Sequence, residues 1–169
     1  MITNTSSATK CGLFLLFCAL SSCDAPHRVQ ILDELNGGIS QKEFLNIEKE
    51  KGVATLVESD SLPKNDPRPP YSHDIYEING YKLFGETGTI HAKFFNDKLY
   101  SVTFYPNDAG RFQMALDQKY HVSILKGKSW RRSANVLIHH DVNYLKREYF
   151  SFEDIDIQGE YDDWISKYS

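Results

Sequence analysis

The alternation of apolar and polar positions divides the chain into a short leader and a patterned remainder. A mostly polar stretch of ten residues comes first, and Cys11 to Leu20 then run without one charged or strongly polar side chain. From Pro26 the pattern is one of short amphipathic segments punctuated by Gly, Pro, Asn and Asp. Val29, Ile31, Leu32 and Leu35 give the first segment one apolar side up to Gly37-Gly38, which predicts a short helix. Ser40 and Glu43 have the spacing of a capping box, and Ile39 and Phe44 that of a hydrophobic staple. A second helix is therefore predicted over 41–51, stopped by Gly52.

Strand patterns dominate from residue 53 onward. Val53 to Glu58 reads as a strand, and residues 59–70, with four of the six prolines, as an exposed loop that could serve recognition. Ile75 to Ile78 and Tyr81 to Phe84 predict a hairpin about Asn79-Gly80, because Asn-Gly suits the positive φ angles of a type I′ turn. Gly88 to Phe95 and Leu99 to Tyr105 predict a second hairpin about Asn96-Asp97-Lys98. In its return strand Leu99, Ser101, Thr103 and Tyr105 alternate with Tyr100, Val102 and Phe104, so one face is more apolar. Asp108 can cap a helix running to Tyr120 with Phe112, Ala115 and Leu116 on its inner stripe. Residues 122–125, 135–140 and 144–152 are strand candidates, joined by basic turns, and the phase shifts between Phe152 and Ile155. Tyr161, Trp164, Ile165 and Tyr168 recur at helical spacing, with Glu160, Asp162 and Asp163 at the positive end of the dipole, so the chain is expected to end in a helix.

These elements predict an α+β domain over 29–169, a single antiparallel sheet packed on one side by N-terminal, middle and C-terminal helices. Two short helices followed by a strand meander look in outline like the small periplasmic lipoproteins of the outer-membrane assembly machinery and their β-lactamase-inhibitor relatives. No fixed-period sequence repeat is present.

The cysteines change the picture most. All three fall within the first 23 residues, and the ten-residue apolar run is too short to cross a roughly 30 Å hydrocarbon layer as a helix. Leu20-Ser21-Ser22-Cys23 resembles the lipobox of bacterial lipoproteins. That resemblance implies cleavage by signal peptidase II after residue 22, lipid on the Cys23 thiol and a tether over 23–28. It also makes Asp24 a sorting residue that, in an enteric host, keeps the protein at the periplasmic face of the inner membrane. The mature chain would hold neither thiol nor disulfide, so its stability must come from burial, which roughly 150 residues can supply. The formal charge of −4 offers no electrostatic footprint for nucleic acid.

Candidate chemistry is sparse. His139-His140-Asp141 is the obvious metal suspect, with His73, His91 and His121 elsewhere, but adjacent strand residues point to opposite faces and no H-x-H or H-E-x-x-H spacing occurs. Asp154-x-Asp156-x-Gln158-Gly159 begins like a calcium loop and fails at the twelfth place, Ile165, where a bidentate Glu is required. Neither a nucleophile elbow nor a phosphate-binding loop is present. No metal, cofactor or catalytic set is therefore expected. Lys126, Lys128, Trp130, Arg131 and Arg132 form the best candidate for partner binding, since Trp beside Arg is the composition of an interface anchor; the same turn could also lie against anionic headgroups. The reading that results is a non-enzymatic envelope lipoprotein that binds another protein. An inhibitor or immunity-type protein, and an enzyme or small-ligand binder with a pocket between sheet and helices, are the alternatives.

Overall fold

The computed structural model describes residues 28–32 and 35–169. The leader, the lipobox at Cys23 and Asp24 lie outside the described residues. In chain order come β1 (Gln30–Leu32), β2 (Leu35–Asn36), α1 (Gln41–Glu48), β3 (Ala54–Ser61), β4 (Ser72–Leu83), β5 (Glu86–Phe95), β6 (Lys98–Pro106), α2 (Ala109–Tyr120), β7 (Lys128–Arg131), β8 (Val136–Val142), β9 (Glu148–Asp154) and α3 (Ile155–Tyr168). The seven strands from β3 onward form one antiparallel sheet in the order β3-β4-β5-β6-β9-β8-β7, and β1 pairs with β2 in a small separate sheet. A helix followed by a meander is thus used twice, and the two meanders join where β6 pairs with β9.

One face of the large sheet carries the main core. Phe44 of α1 meets Phe94 edge-on at 5.4 Å, while Phe112 of α2 lies 4.8 Å from Phe104 and 4.7 Å from Phe150. All five rings are fully buried together with Ile31, Leu32 and Leu35 of the small sheet. Burying an aromatic or aliphatic side chain of this size contributes about 1.5–3 kcal/mol, so this layer is the main source of cohesion. Helix α1 starts as its sequence predicts: the Ser40 hydroxyl accepts from the Glu43 N–H, and the Glu43 carboxylate accepts from the Ser40 N–H.

Helix α3 lies on the opposite face, which corrects the expectation that all helices share one side. Its Ile157, Tyr161, Trp164 and Ile165 pack with Phe95 and Tyr100 of the sheet and with Leu62 and Tyr71. The reason is parity. Phe94 and Phe95 are neighbours on one strand and point opposite ways, so large rings at both positions create a second apolar patch that only another helix can cover. The proline-rich loop over 62–71 closes that patch: the Trp164 indole donates to the Pro69 carbonyl at 3.2 Å, the Trp164 ring stacks on Tyr71 at 4.3 Å, and Arg68 donates to the Tyr168 carbonyl at 2.9 Å.

Several element expectations are also corrected. The predicted first helix is instead the β1–β2 pair, because this stretch makes main-chain bonds to β6 (Gly38 N–H to the Leu99 carbonyl, Leu99 N–H to the Ile39 carbonyl, both 2.9 Å) in preference to bonds within itself. The two-helix opening on which the outline likeness to the assembly-machinery lipoproteins stood is therefore not there. Asn79-Gly80 is a bulge inside the long strand β4, with Gly80 at φ 72, and the type I′ turn falls at Phe84-Gly85, φ 50 and 84. Ile78, Tyr81 and Leu83 all face the core only if one residue is inserted between them and the strand continues. Residues 122–125 are irregular, and between the predicted basic turns, seen as a turn at 126–127 and a bend over 132–135, runs the unpredicted edge strand β7. β9 begins at Glu148, later than predicted, and α3 begins at Ile155, earlier, so the phase shift after Phe152 is a direct strand-to-helix switch capped by Asp154.

Candidate functional site

Away from α3, the second face of the sheet is uncovered, and cross-strand register sets its side chains in rows. One row runs across six strands: Glu77, His91, Thr103, Ser151, His139 and Ser129, each directly opposite the next. The neighbouring row holds Asn79, Thr89, Tyr105, Tyr149 and Asp141. Thr103 and Ser151 are buried between their larger neighbours, while His91, His139, Tyr105 and Tyr149 remain half-buried. The result is a trough with a hydroxyl floor and aromatic sides. His91 meets Tyr105 at 5.1 Å, Tyr105 meets Tyr149 at 5.7 Å, and Tyr149 meets His139 at 6.2 Å, so four rings cross the sheet in a continuous ladder.

Hydrogen bonds fix the rim. His91 Nε2 lies 2.9 Å from Glu77 Oε2, and Asn79 donates to the other oxygen at 2.7 Å. These bonds, from His91 and then Asn79, hold the Glu77 carboxyl below its usual range. The Val142 N–H, and after it His139, does the same for Asp141. Partial burial pushes the Tyr105 and Tyr149 phenols up, so both keep their protons and can donate. The Arg147 guanidinium lies over the Tyr105 ring at 5.1 Å, and the Ser151 hydroxyl donates to Glu153 at 2.8 Å. Ser101, buried next to Glu153 in register, has a hydroxyl oxygen without a hydrogen-bond partner among the described residues.

The face brings a serine, a histidine and an aspartate together. Ser129 Oγ is 2.8 Å from His139 Nδ1, and His139 Nε2 is 3.4 Å from Asp141 Oδ2. The second contact is too long to orient a base firmly, and Ser129 stands exposed on an edge strand. A nucleophile and its base typically stand about 2.6–3.2 Å apart, often more in the free state. As it stands, the set positions a surface imidazole.

His140 and His73 are engaged structurally. Both nitrogens of His140 are engaged, with the Ile124 carbonyl at 2.7 Å and Glu148 at 3.2 Å, and its ring stacks on Phe150. His73 is buried under Tyr161 and bonded to the Tyr100 hydroxyl at 2.9 Å, and desolvation lowers its pKa. His121 ends α2 in the left-handed conformation. Among the described residues no three His, Cys, Asp or Glu side chains converge to hold a metal. The stretch that begins like a calcium loop is spent on the helix start, with Asp154 capping α3 and Asn135 donating to Asp156.

The basic cluster is dispersed by its strand. Lys126 pairs with Glu148, whose carboxyl it holds down. Trp130 packs against the core beside Tyr120 at 6.1 Å. Arg131 donates to the Ala134 carbonyl, and Arg132 donates to the Gln30 carbonyl and the Tyr120 hydroxyl. Arg131 and Arg132 thus stand at one end of β7, and Lys126 and Lys128 at the other.

From the sequence, His91 and His139 stand out only as metal suspects, and the face they share is not assembled. A signal was present in Ser101-x-Thr103-x-Tyr105 and Tyr149-x-Ser151-x-Glu153, two polar alternations on strands that prove to be partners. Compared with known protein families and with curated proteins, the chain matches none.

Proposed function

We propose that the domain is the binding part of an envelope lipoprotein and that the uncovered face of its large sheet is the surface on which another protein docks. The observation that carries this reading is the four-ring ladder His91, Tyr105, Tyr149 and His139 lying over a Thr103–Ser151 floor. Rigid tyrosines beside small hydroxyl residues supply contact area and adaptable hydrogen bonds at little entropic cost, the composition that protein-recognition surfaces favour. Six strands at about 4.8 Å spacing make the face roughly 24 Å across, enough for the centre of a standard interface. The trough is open, as a protein partner requires, and its side chains are held by one another before anything binds.

The test is competition. The full chain immobilised in detergent should capture a specific envelope protein. Excess soluble wild-type chain should displace that partner, and a Tyr105→Ala/Tyr149→Ala variant should compete at least tenfold less well, as losing two interface tyrosines worth about 1 kcal/mol each requires. Equal competition by the variant would remove the face from the account.

The anchor is a separate proposal, supported by Leu20-Ser21-Ser22-Cys23. Two or three acyl chains on Cys23 would hold the domain at a bilayer effectively for good. Cys23→Ser should abolish fatty-acid labelling, and labelling that persists would refute it. In an enteric host Asp24→Ser should move the mature form from the inner to the outer membrane.

A further inference from the structure

The end of the sheet where β8 turns into β9 carries apolar side chains that neither the core nor the aromatic face covers. Residues 143–147 form a clamped loop: Asn143 Oδ1 accepts from the Leu145 and Arg147 N–H groups, both at 3.0 Å, and main-chain bonds join Asn143 to Arg147 and to Lys146. Lys146 is held at φ 60, a conformation that non-glycine residues adopt at some cost. This rigid loop aims its apolar side chains outward, with Tyr144 91 % and Leu145 63 % exposed. Beside it stands a second protrusion. Gly127 bonds the His140 carbonyl and Lys126 reaches Glu148, which puts the 124–127 turn next to the end of β8, with Leu125 69 % exposed.

Cations surround these three apolar residues. Lys146 and Arg147 follow the tip, Lys126 and Lys128 flank Leu125, and neither Lys128 nor Lys146 has an ion-pair partner among the described residues. In a chain with a formal charge of −4, Lys126 is met by Glu148 and Arg147 by the Tyr105 ring, which leaves Lys128 and Lys146 as cations beside exposed Tyr and Leu that call for an anionic counterpart. The shape narrows the choice. The apolar groups sit on protrusions, which fit a soft surface, where Tyr takes the headgroup level and Leu the acyl boundary. We infer that the β8–β9 tip and the 124–127 turn dock on an anionic lipid bilayer.

This contact has an orientational consequence. Arg28, the first described residue, pairs with Glu43 in the first turn of α1, and Gln41 there bonds Asp97 in the β5–β6 turn, at the opposite end of the strands. With the anchor proposed above at one end and the tip docking at the other, the strands would lie along the membrane. The inference rests on residues 124–147 and stands whether or not Cys23 is acylated.

The experiment uses the full chain carrying Tyr144→Trp with vesicles of brominated lipid, either phosphatidylcholine alone or mixed with phosphatidylglycerol. With the anionic vesicles the tryptophan at 144 should shift to shorter wavelength and be quenched well beyond the wild-type chain, which reports only Trp130 and Trp164. Adding Lys128→Gln and Lys146→Gln should weaken that vesicle-dependent quenching, roughly fivefold in partition for each cation lost, with circular dichroism verifying the fold. No extra quenching at 144, quenching indifferent to phosphatidylglycerol or to the charge changes, or a shift that appears only when a protein partner is added, would each overturn the inference.

Discussion

At the scale of single residues, the most informative side chain is His73. It is packed under Tyr161 at 5.2 Å, bonded to Tyr100, and faces Glu58 at 3.5 Å, with Asp74, Asp60 and Lys93 near enough to act on its charge. Desolvation outweighs Glu58, so the folded-state pKa lies below 6.5. The folded protein therefore binds fewer protons than the unfolded chain between those two values. Its contribution to stability is complete above the unfolded pKa of about 6.5 and is lost as pH falls through the folded value. Urea midpoints should decline from pH 7.5 to 5.5, and His73→Gln should flatten that slope. An unchanged slope would mean that His73 accepts its proton without penalty. Glu77, Asp141 and Glu148, whose pKa values are depressed, act in a separate window, because each gives up its contribution only as pH falls through its own lowered value.

At the scale of elements, local chemistry was legible wherever it could be satisfied locally. The Ser40–Glu43 capping box, the Asp108 cap, the Asn96-Asp97 turn and the aromatic stripe of α3 all stand where their spacing puts them. What escaped depended on partners distant in sequence. Val29 to Leu35 has an apolar side that suits a helix, yet Gly38 and Ile39 bond to β6, more than fifty residues on, and a hairpin results. Asn79-Gly80 carries the strongest turn signal in the chain and serves as a bulge, because the core needs Tyr81 and Leu83 on the same face as Ile78. Phe84 accepts φ 50 at the true turn because its ring stacks on Phe112 at 5.8 Å. The face was unreadable for the same reason, since each of its rows draws on strands from both meanders. A Cβ at Gly85 would touch nothing, so Gly85→Ala should cost only the backbone strain of a positive φ, about 1 kcal/mol by urea unfolding. A neutral result would return the turn to Asn79-Gly80.

At the scale of the whole molecule, the two faces of the sheet divide the work. One buries the side chains that hold α1, α2 and the small sheet together. The other gives part of its length to α3 and leaves the rest as a pre-formed trough of His, Tyr, Ser and Thr. Helix α3 and the proline-rich loop bound that trough at one end, and the 143–147 loop bounds it at the other, with Arg147 reaching back over Tyr105. If this trough is where a partner sits, photocrosslinking in the native envelope will catch it there. A benzophenone side chain placed at position 149 should give one discrete protein adduct, while the same group at position 118, exposed on α2 on the far side of the sheet, should give none. An adduct at 118 and not at 149, or none at either, would contradict the account.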